Sequence, residues 1–302
     1  MSLYVEILIR TDMNNLWERT QNPVLHSQWD LRFSSIEYLP RHDDSEPQKF
    51  LYSKKIGFGM TIRGEGETVG SREDEKGRRS SALKFSSDDF RSLIQTGSGY
   101  WQYVPTPQGV RFLTEYDYQT RFGSVGRLFD GIVFRPLIGW ATAWSFDRLR
   151  LWLEKGIDPC LSLERSVVHC AARLTLAFIW IYQGVFPKLL FRDSGELSIL
   201  QHTRMAVGLE STILTAVGIA EIFFGVLLLL FWRSRNLLLL NVALLVVLGV
   251  GAAVSQPSLL IAPFNPVTLN LAMGALGALG WFAAHELPSS RNSLRKRQEK
   301  QL

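Results

Sequence analysis

NLLLLNVALLVVLGVGAAV, residues 236–254, decides the architecture. None of its nineteen residues is charged, and the charge-free run continues to His285, fifty residues in all. A water-soluble domain does not run that far without an ion. About 20 apolar residues, at 1.5 Å each, cross the ~30 Å hydrocarbon core of a bilayer, so this stretch reads as a membrane span. Working outward, three further apolar segments can be cut at 166–186, 211–232 and 266–284. Of 33 basic and 28 acidic residues, only ten fall between 166 and 285: Arg173, Lys188, Arg192, Asp193, Glu196, Arg204, Glu210, Glu221, Arg233 and Arg235. A mean hydropathy of +0.05 therefore averages a charged half and an oily half. This pattern excludes a purely cytosolic enzyme, a disordered chain and a secreted disulfide scaffold.

Four spans put both chain ends on one side. Arg165, the Arg233-Ser-Arg235 connection and the tail residues Arg291, Arg295, Lys296, Arg297 and Lys300 then share that side. The opposite side has Lys188, Arg192 and Arg204. The positive-inside bias predicts a multi-pass protein of the cytoplasmic membrane with both termini cytoplasmic. The basic tail, 286–302, reads as an anchor facing anionic lipid. Nucleic acid is not an expected partner, because no basic stripe is interleaved with stacking aromatics. The start alternates, with Leu3, Val5, Ile7 and Ile9 against Tyr4, Glu6 and Leu8, which is a strand and not a signal peptide. Cys160 and Cys170 give neither a disulfide framework nor a metal-ligand spacing.

Two ions inside the oil are the most informative residues of this half. Arg173 lies ~10 Å into the first span and Glu221 ~17 Å into the second, counted from the cytoplasmic side. An unpaired charge at that depth costs at least ~2.5–3.5 kcal/mol, so the two are expected to pair. The readings that stay open are a structural ion pair or Arg173 snorkelling to the interface on one side, and a polar pocket or proton-handling site between helices on the other. Asn265 and Asn270 flank the start of the fourth span, as vestibule or as helix caps. Gly274, Gly277 and Gly280 give that span a small-residue face, for packing in the bundle or for a homodimer.

The run Arg173-Leu-Thr-Leu-Ala-Phe-Ile-Trp-Ile-Tyr-Gln-Gly-Val-Phe-Pro-Lys188-Leu-Leu, then Glu196, Gly218-Ile-Ala-Glu221-Ile and Pro263-Phe-Asn-Pro-Val-Thr-Leu-Asn270, resembles the DoxX-like family. The resemblance covers about 166–284 and implies a four-helix membrane domain over 159–285. Relatives include a subunit of a thiosulfate:quinone oxidoreductase and membrane partners of redox enzymes. It therefore implies a quinone as candidate cofactor and a redox protein as candidate partner. Arg173, Lys188, Glu196, Glu221, Asn265 and Asn270 form the candidate intramembrane polar site.

Residues 1–158 read as one α+β domain. A strand is followed by two short helices at 14–20 and 24–30, with Asp12 placed to cap the first. Strands follow at 36–39, 49–56, 61–69, 79–85, 100–105 and 110–121, separated by turn signals such as Pro105-Thr-Pro-Gln-Gly109. A helical stretch at 125–154 closes the domain, with Pro136 and Gly139 expected to kink or split it. Gly64-Glu-Gly66 reads as a bulge or a twist point and not as a phosphate loop. His26 and His42 look isolated, and no nucleophile elbow, HExxH, P-loop or GxGxxG occurs.

This order of elements, with Leu16-Trp17-Glu18-Arg19-Thr20 and His26-Ser-Gln-Trp29-Asp30 in the helix pair, resembles the START-like fold of polyketide cyclases and ligand-binding proteins. The resemblance implies a helix-grip: a curved antiparallel sheet around a long helix, with a cavity for lipids, polyketides, hormones or quinone-like molecules. Alternation puts Phe112, Thr114, Tyr116 and Tyr118 on one face, and Trp101 and Tyr103 share a face of their strand. The candidate ligand-binding set is Trp29, Trp101, Tyr103, Phe112, Tyr116 and Tyr118, with ordinary sheet core as the competing reading. Trp140, Trp144, Phe146, Leu149, Leu151, Trp152 and Leu153, mixed with Arg148, Arg150 and Lys155, read as an interfacial segment before the first span or as cover for the sheet, and both readings can hold for different turns.

The expectation is a START-like cup fused to a DoxX-like four-helix bundle. It favours a non-catalytic membrane-anchored binder of a lipid or quinone-like ligand over a subunit of a quinone-linked oxidoreductase. Membrane lipid and a lipophilic small molecule are the expected partners, with a homo-oligomer as a further option.

Overall fold

A computed structural model describes residues 2–43, 46–192, 196–202, 208–255, 257–261 and 265–297. They fall into two units: Met1–Ser162 with Pro288–Leu302, and Leu163–Leu287.

The first unit is a seven-stranded, wholly antiparallel sheet in the order β1-β7-β6-β5-β4-β3-β2. The strands are β1 (Leu3–Ile9), β2 (Ser35–Tyr38), β3 (Gln48–Gly57), β4 (Met60–Glu73), β5 (Arg79–Ser86), β6 (Ile94–Thr106) and β7 (Gly109–Thr120). Period-two alternation sets the buried face: Leu3, Val5, Ile7 and Ile9 of β1 are buried. Between β1 and β2 lie α1 (Met13–Gln21) and α2 (Pro23–Trp29). Asp12 caps α1 through the Asn15 amide at 2.8 Å. Asn22 caps α2, whose Pro23 sits at its start, where a missing N–H costs nothing.

The closing helical stretch comprises α3 (Gly123–Phe129), a π-helical turn at Asp130–Phe134, and α4 (Arg135–Lys155). The break thus lies before Pro136, which occupies the first turn of α4. Gly139 does not break α4. A Cβ there would lie 3.6 Å from Leu3, an ordinary van der Waals contact, so the packing of α4 on β1 does not require a glycine.

The middle of α4 is buried on every side: Thr142 to Leu149 and Leu151 are enclosed, whereas 152–154 are half-buried and Lys155 is exposed. Arg148 donates to the carbonyls of Trp29 (3.1 Å), Gln28 (3.0 Å) and Pro159 (2.6 Å). Burial draws its pKa down to about 10. Of the two readings of this segment, cover for the sheet holds for these turns and the interfacial one does not. Trp144, Phe146, Arg148, Leu149 and Leu151 are core, because the guanidinium satisfies the carbonyls at the end of α2. The exposed apolar residues lie upstream, at Val125, Leu128, Ile132, Leu137 and Trp140.

The segment after residue 288 docks on this unit. Asp147 accepts from the Ser289 amide at 2.8 Å and from Asn292 Nδ2 at 2.9 Å. Glu6 and Leu294 exchange backbone bonds of 2.9 and 2.8 Å, covering part of the edge strand β1. Arg291, Arg295, Lys296 and Arg297 remain exposed, and Lys300 lies outside the described residues.

The second unit begins within α5 (Pro159–Gln183). It continues through a π-helical segment at Gly184–Leu190, α6 (Glu196–His202), α7 (Glu210–Leu230), α8 (Asn236–Ser255), a 3-10 turn at Pro257–Ile261 and α9 (Pro266–Ala283). Pro187 does not end the helix at once, because the wider π turn tolerates its missing N–H. α6 lies where the sequence reading had a loop. Among the described residues α7, α8 and α9 are long and apolar enough to cross a membrane, where four spans were expected. His169 and Arg173 dilute the apolar character of α5, although Val167, Leu174, Phe178 and Tyr182 leave it an exposed oily face. Of the small-residue face on α9, a Cβ at Gly277 would meet Asn241 and one at Gly280 would meet Ala172, whereas a Cβ at Gly274 would point into open space.

Candidate functional site

A cavity of about 160 Å³ lies in the first unit. It offers space for a ring or a short chain; an apolar cavity of ~150 Å³ admits benzene. Aromatics from several strands build its wall: Phe50 and Tyr52 of β3, Phe85 of β5, Trp101 of β6 and Tyr116 of β7. The glycines that suggested a bulge instead make room for two of these rings. Gly64 faces Tyr52 and Gly66 faces Phe50 in unbroken register. A Cβ at either position would come within 2.3 or 2.4 Å of the ring. The irregularity in β4 falls later, between Thr68 and Gly70.

Of the six expected ligand-binding residues, Trp101 and Tyr116 line this cavity. The other four are not among its lining residues. Trp29, Tyr103 and Phe112 are wholly enclosed in the core. Trp29 donates to the Arg19 carbonyl at 3.0 Å, and Phe112 stacks on Phe146 at 4.5 Å. Tyr103 is tied to Thr20 at 2.7 Å and Gln21 at 2.9 Å, and burial raises its pKa. Tyr118 donates to buried Asp130 at 2.6 Å, beneath Arg135 at 4.8 Å. Alternation names the inward face, but it does not separate core from cavity wall along that face.

A polar cluster beside the wall was missed. His26 and Arg32 line the cavity, and Asp30 lies buried behind them. His26 Nε2 is 3.0 Å from Asp30 Oδ2, and Arg32 Nη2 is 2.6 Å from the same oxygen. Burial lowers the His26 pKa, against a smaller upward pull from Asp30, so the imidazole is neutral. Burial opposes the Asp30 charge, but Arg32 and the His26 hydrogen bond outweigh it and hold the carboxyl well below its ordinary range. The signal was the i,i+4 spacing of His26 and Asp30 at the end of α2. Tyr52 donates to the Ser86 carbonyl at 3.1 Å, and burial with nearby Glu65 pushes its pKa up to about 12.

In the second unit the expected pair of Arg173 and Glu221 does not form. Arg173, wholly buried, turns to the C-terminal end of α7. It donates to the carbonyls of Leu228 (2.8 Å), Phe231 (3.0 Å) and Ser234, and to His169 Nε2 at 3.1 Å. A guanidinium with five donors matches the orphan carbonyls and negative dipole of a helix end better than one distant carboxylate does. Glu221 instead meets Lys188 at 3.0 Å, and Lys188 also lies 3.4 Å from Glu196. Lys188, Glu196 and Glu221 thus come together. Asn265 caps α9 through the Thr268 amide at 2.9 Å, and Asn270 donates to the Leu245 carbonyl at 3.4 Å. A second buried polar contact, Trp180 Nε1 to Asn241 Oδ1 at 2.7 Å, was also missed. Pro263 and Phe264 of the family-like stretch lie outside the described residues. Among the described residues no group of three or more His, Cys, Asp or Glu is placed to hold a metal ion.

Residues 177–278 match the DoxX-like family. The first unit is similar in fold to a STAR-related lipid transfer protein from Xanthomonas axonopodis, at 15% identity over 51% of this chain and 86% of that one, with a TM-score of 0.38. A protein of unknown function from Staphylococcus aureus, SA2116, is similar at 15% identity over 52% and 94% of the two chains, with a TM-score of 0.39. The antiparallel strand order and the closing helix α4 are the arrangement that the START-like resemblance of the sequence implies. The uncharacterized membrane protein YndG of Bacillus subtilis (strain 168) is 40% identical over 298 residues, 98% of each chain. The chain therefore belongs to the same family of membrane proteins as YndG, with a DoxX-like domain in its C-terminal part.

Proposed function

We propose that the protein is a membrane-anchored, non-catalytic binder of a lipophilic molecule. The observation that carries this reading is the aromatic-walled cavity of the first unit on a chain that also has three helices fit to cross a membrane. The cavity removes the ligand from water, and the anchor keeps the cup within reach of a lipid source. α5 serves as a fourth span, its Arg173 turned inward and its Phe178 and Tyr182 face toward lipid. Residues 1–158 and the tail from 286 then lie in the cytoplasm, on the side of Arg165, Arg233 and Arg235. The exposed Leu128, Ile132 and Trp140 are the contact with membrane lipid. The test is mass spectrometry of organic extracts from gently solubilised protein. A stoichiometric lipid or isoprenoid ligand is expected; extracts without one, from folded protein, count against a carrier.

A second reading is favoured by one observation, the Lys188, Glu196 and Glu221 cluster in the second unit. It offers a site for a quinone head, with the protein as membrane subunit of a quinone-linked oxidoreductase and a redox protein as partner. Quinone reduction by membranes with a supplied donor, no faster than with Glu221→Gln, removes it.

A further inference from the structure

The cavity wall contains an ion whose charge is already balanced inside the protein. Arg32 is the one charged side chain among the described residues lining the cavity. Its counter-charge, Asp30, lies behind it with both oxygens engaged. Oδ1 accepts from the Arg32 amide at 3.0 Å and from its Nε at 2.9 Å. Oδ2 accepts from Nη2 at 2.6 Å and lies 3.0 Å from His26. Wall and counter-ion together carry no net charge.

The tyrosine hydroxyls of the wall have given their protons away. Tyr38 donates to the Gln21 carbonyl at 2.8 Å, Tyr52 to the Ser86 carbonyl at 3.1 Å and Tyr100 to Glu115 at 2.8 Å. Thr142 gives its proton to the Ile138 carbonyl at 2.8 Å, so Tyr116, 3.0 Å away, donates to Thr142. Arg32 is different. Its fork has five N–H donors. Asp30 engages Nε and Nη2, and the Tyr116 ring lies 5.5 Å from the guanidinium. Donors therefore remain for a guest.

We propose that the ligand of this cavity is electrically neutral and presents an accepting oxygen, such as the carbonyl of a quinone, ketone or ester, to Arg32, and that the matching carboxylate is rejected. The inference rests on the reading of the first unit as a lipophilic binder and adds the chemical class. An anion placed here would share the wall's one cation with Asp30, the nearby cations Lys54 and Arg148 lying outside the wall and bonded to backbone carbonyls, and would remain a buried charge, which is costly; a neutral carbonyl accepts the same N–H at no such cost.

Acetophenone and benzoate are ring-sized probes of nearly equal shape that differ in this one respect, and benzamide is a second neutral probe. Their binding to the full chain in mild detergent can be followed by the fluorescence of the tryptophans around the cavity, with protein-free micelles as baseline. At neutral pH acetophenone and benzamide are expected to bind at least about tenfold more tightly than benzoate, roughly 1.4 kcal/mol or more. Asp30→Asn removes the internal counter-charge and should invert the order in favour of benzoate. The wild-type comparison stands even where that variant fails to fold. Benzoate binding as well as or better than acetophenone to wild type overturns the proposal while leaving the carrier reading intact. No probe binding, together with extracts free of ligand, overturns both.

Discussion

Arg32 and Asp30 meet at 2.6 Å, with the carboxylate wholly enclosed and the guanidinium at the cavity wall. The pair sits just past α2 and joins that helix to the sheet through Tyr116, whose ring lies 5.5 Å from the guanidinium. Removing one partner of such a pair leaves an unpaired buried charge and costs about 3–5 kcal/mol.

Acid should weaken the first unit from two sources. His26 is held below its ordinary value of 6.5, chiefly by burial. Below that pH the unfolded chain binds the proton that the folded one refuses, so stability falls as pH drops from 6.5 toward the folded value. Asp30 is held below its ordinary 3.8, where the pull of Arg32 and His26 outweighs burial. Its contribution is present above 3.8 and is lost as pH falls through the folded value. Thermal unfolding between about pH 7.5 and 5 should show a falling melting temperature, and His26→Gln should flatten that limb. An identical slope in wild type and variant would contradict the neutral buried imidazole.

Gly66→Ala places a methyl group 2.4 Å from the Phe50 ring and 2.9 Å from the Lys84 carbonyl. A loss of about 1–3 kcal/mol is expected in denaturant unfolding, as for overpacking generally. Phe50→Leu in the same chain should recover part of it. Full stability of the single variant would show that the ring does not lie over the glycine.

The sheet was legible because the strands alternate apolar and polar residues and the turns carry proline and glycine. The break before Pro136 was displaced, since a proline in the first turn of a helix is favourable and only its interior use is not. The ends of α7 were where sequence reasoning failed. Depth along each helix suggested that Arg173 and Glu221 meet, but depth says nothing about which face each residue occupies or about competing carbonyls. Lys188 looked like a residue at the end of a span, and the π turn that keeps it helical is not visible in composition. The aromatic face of β6 and β7 was readable, whereas its division into core and cavity depends on α1, α2 and α4 packing over it.

Double-mutant cycles separate the two possible partners of Glu221. The Lys188→Met and Glu221→Gln pair should couple by about 1 kcal/mol or more in unfolding from detergent. The Arg173→Met and Glu221→Gln pair should be additive within about 0.5 kcal/mol. Strong coupling in the second cycle would restore the pair expected from depth alone.

Cys160 is exposed and lies at the start of α5, so it reports the side on which the first unit stands. A membrane-impermeant maleimide should leave it unlabelled in intact cells and label it in inverted vesicles, with Cys170→Ala removing the second thiol. Labelling of intact cells would place the first unit outside the cytoplasm.

The most direct measurement compares bound ligand in wild type and in a chain whose cavity is filled. Leu83 lines the cavity, and Leu83→Trp puts an indole into it. Protein purified from the same membranes, with melting temperature recorded for both, is extracted and analysed by mass spectrometry. A neutral lipophilic molecule present at near-stoichiometric level in wild type and depleted in a folded Leu83→Trp chain is the predicted result; equal amounts in both, or none in either, would contradict a ligand held by the cup.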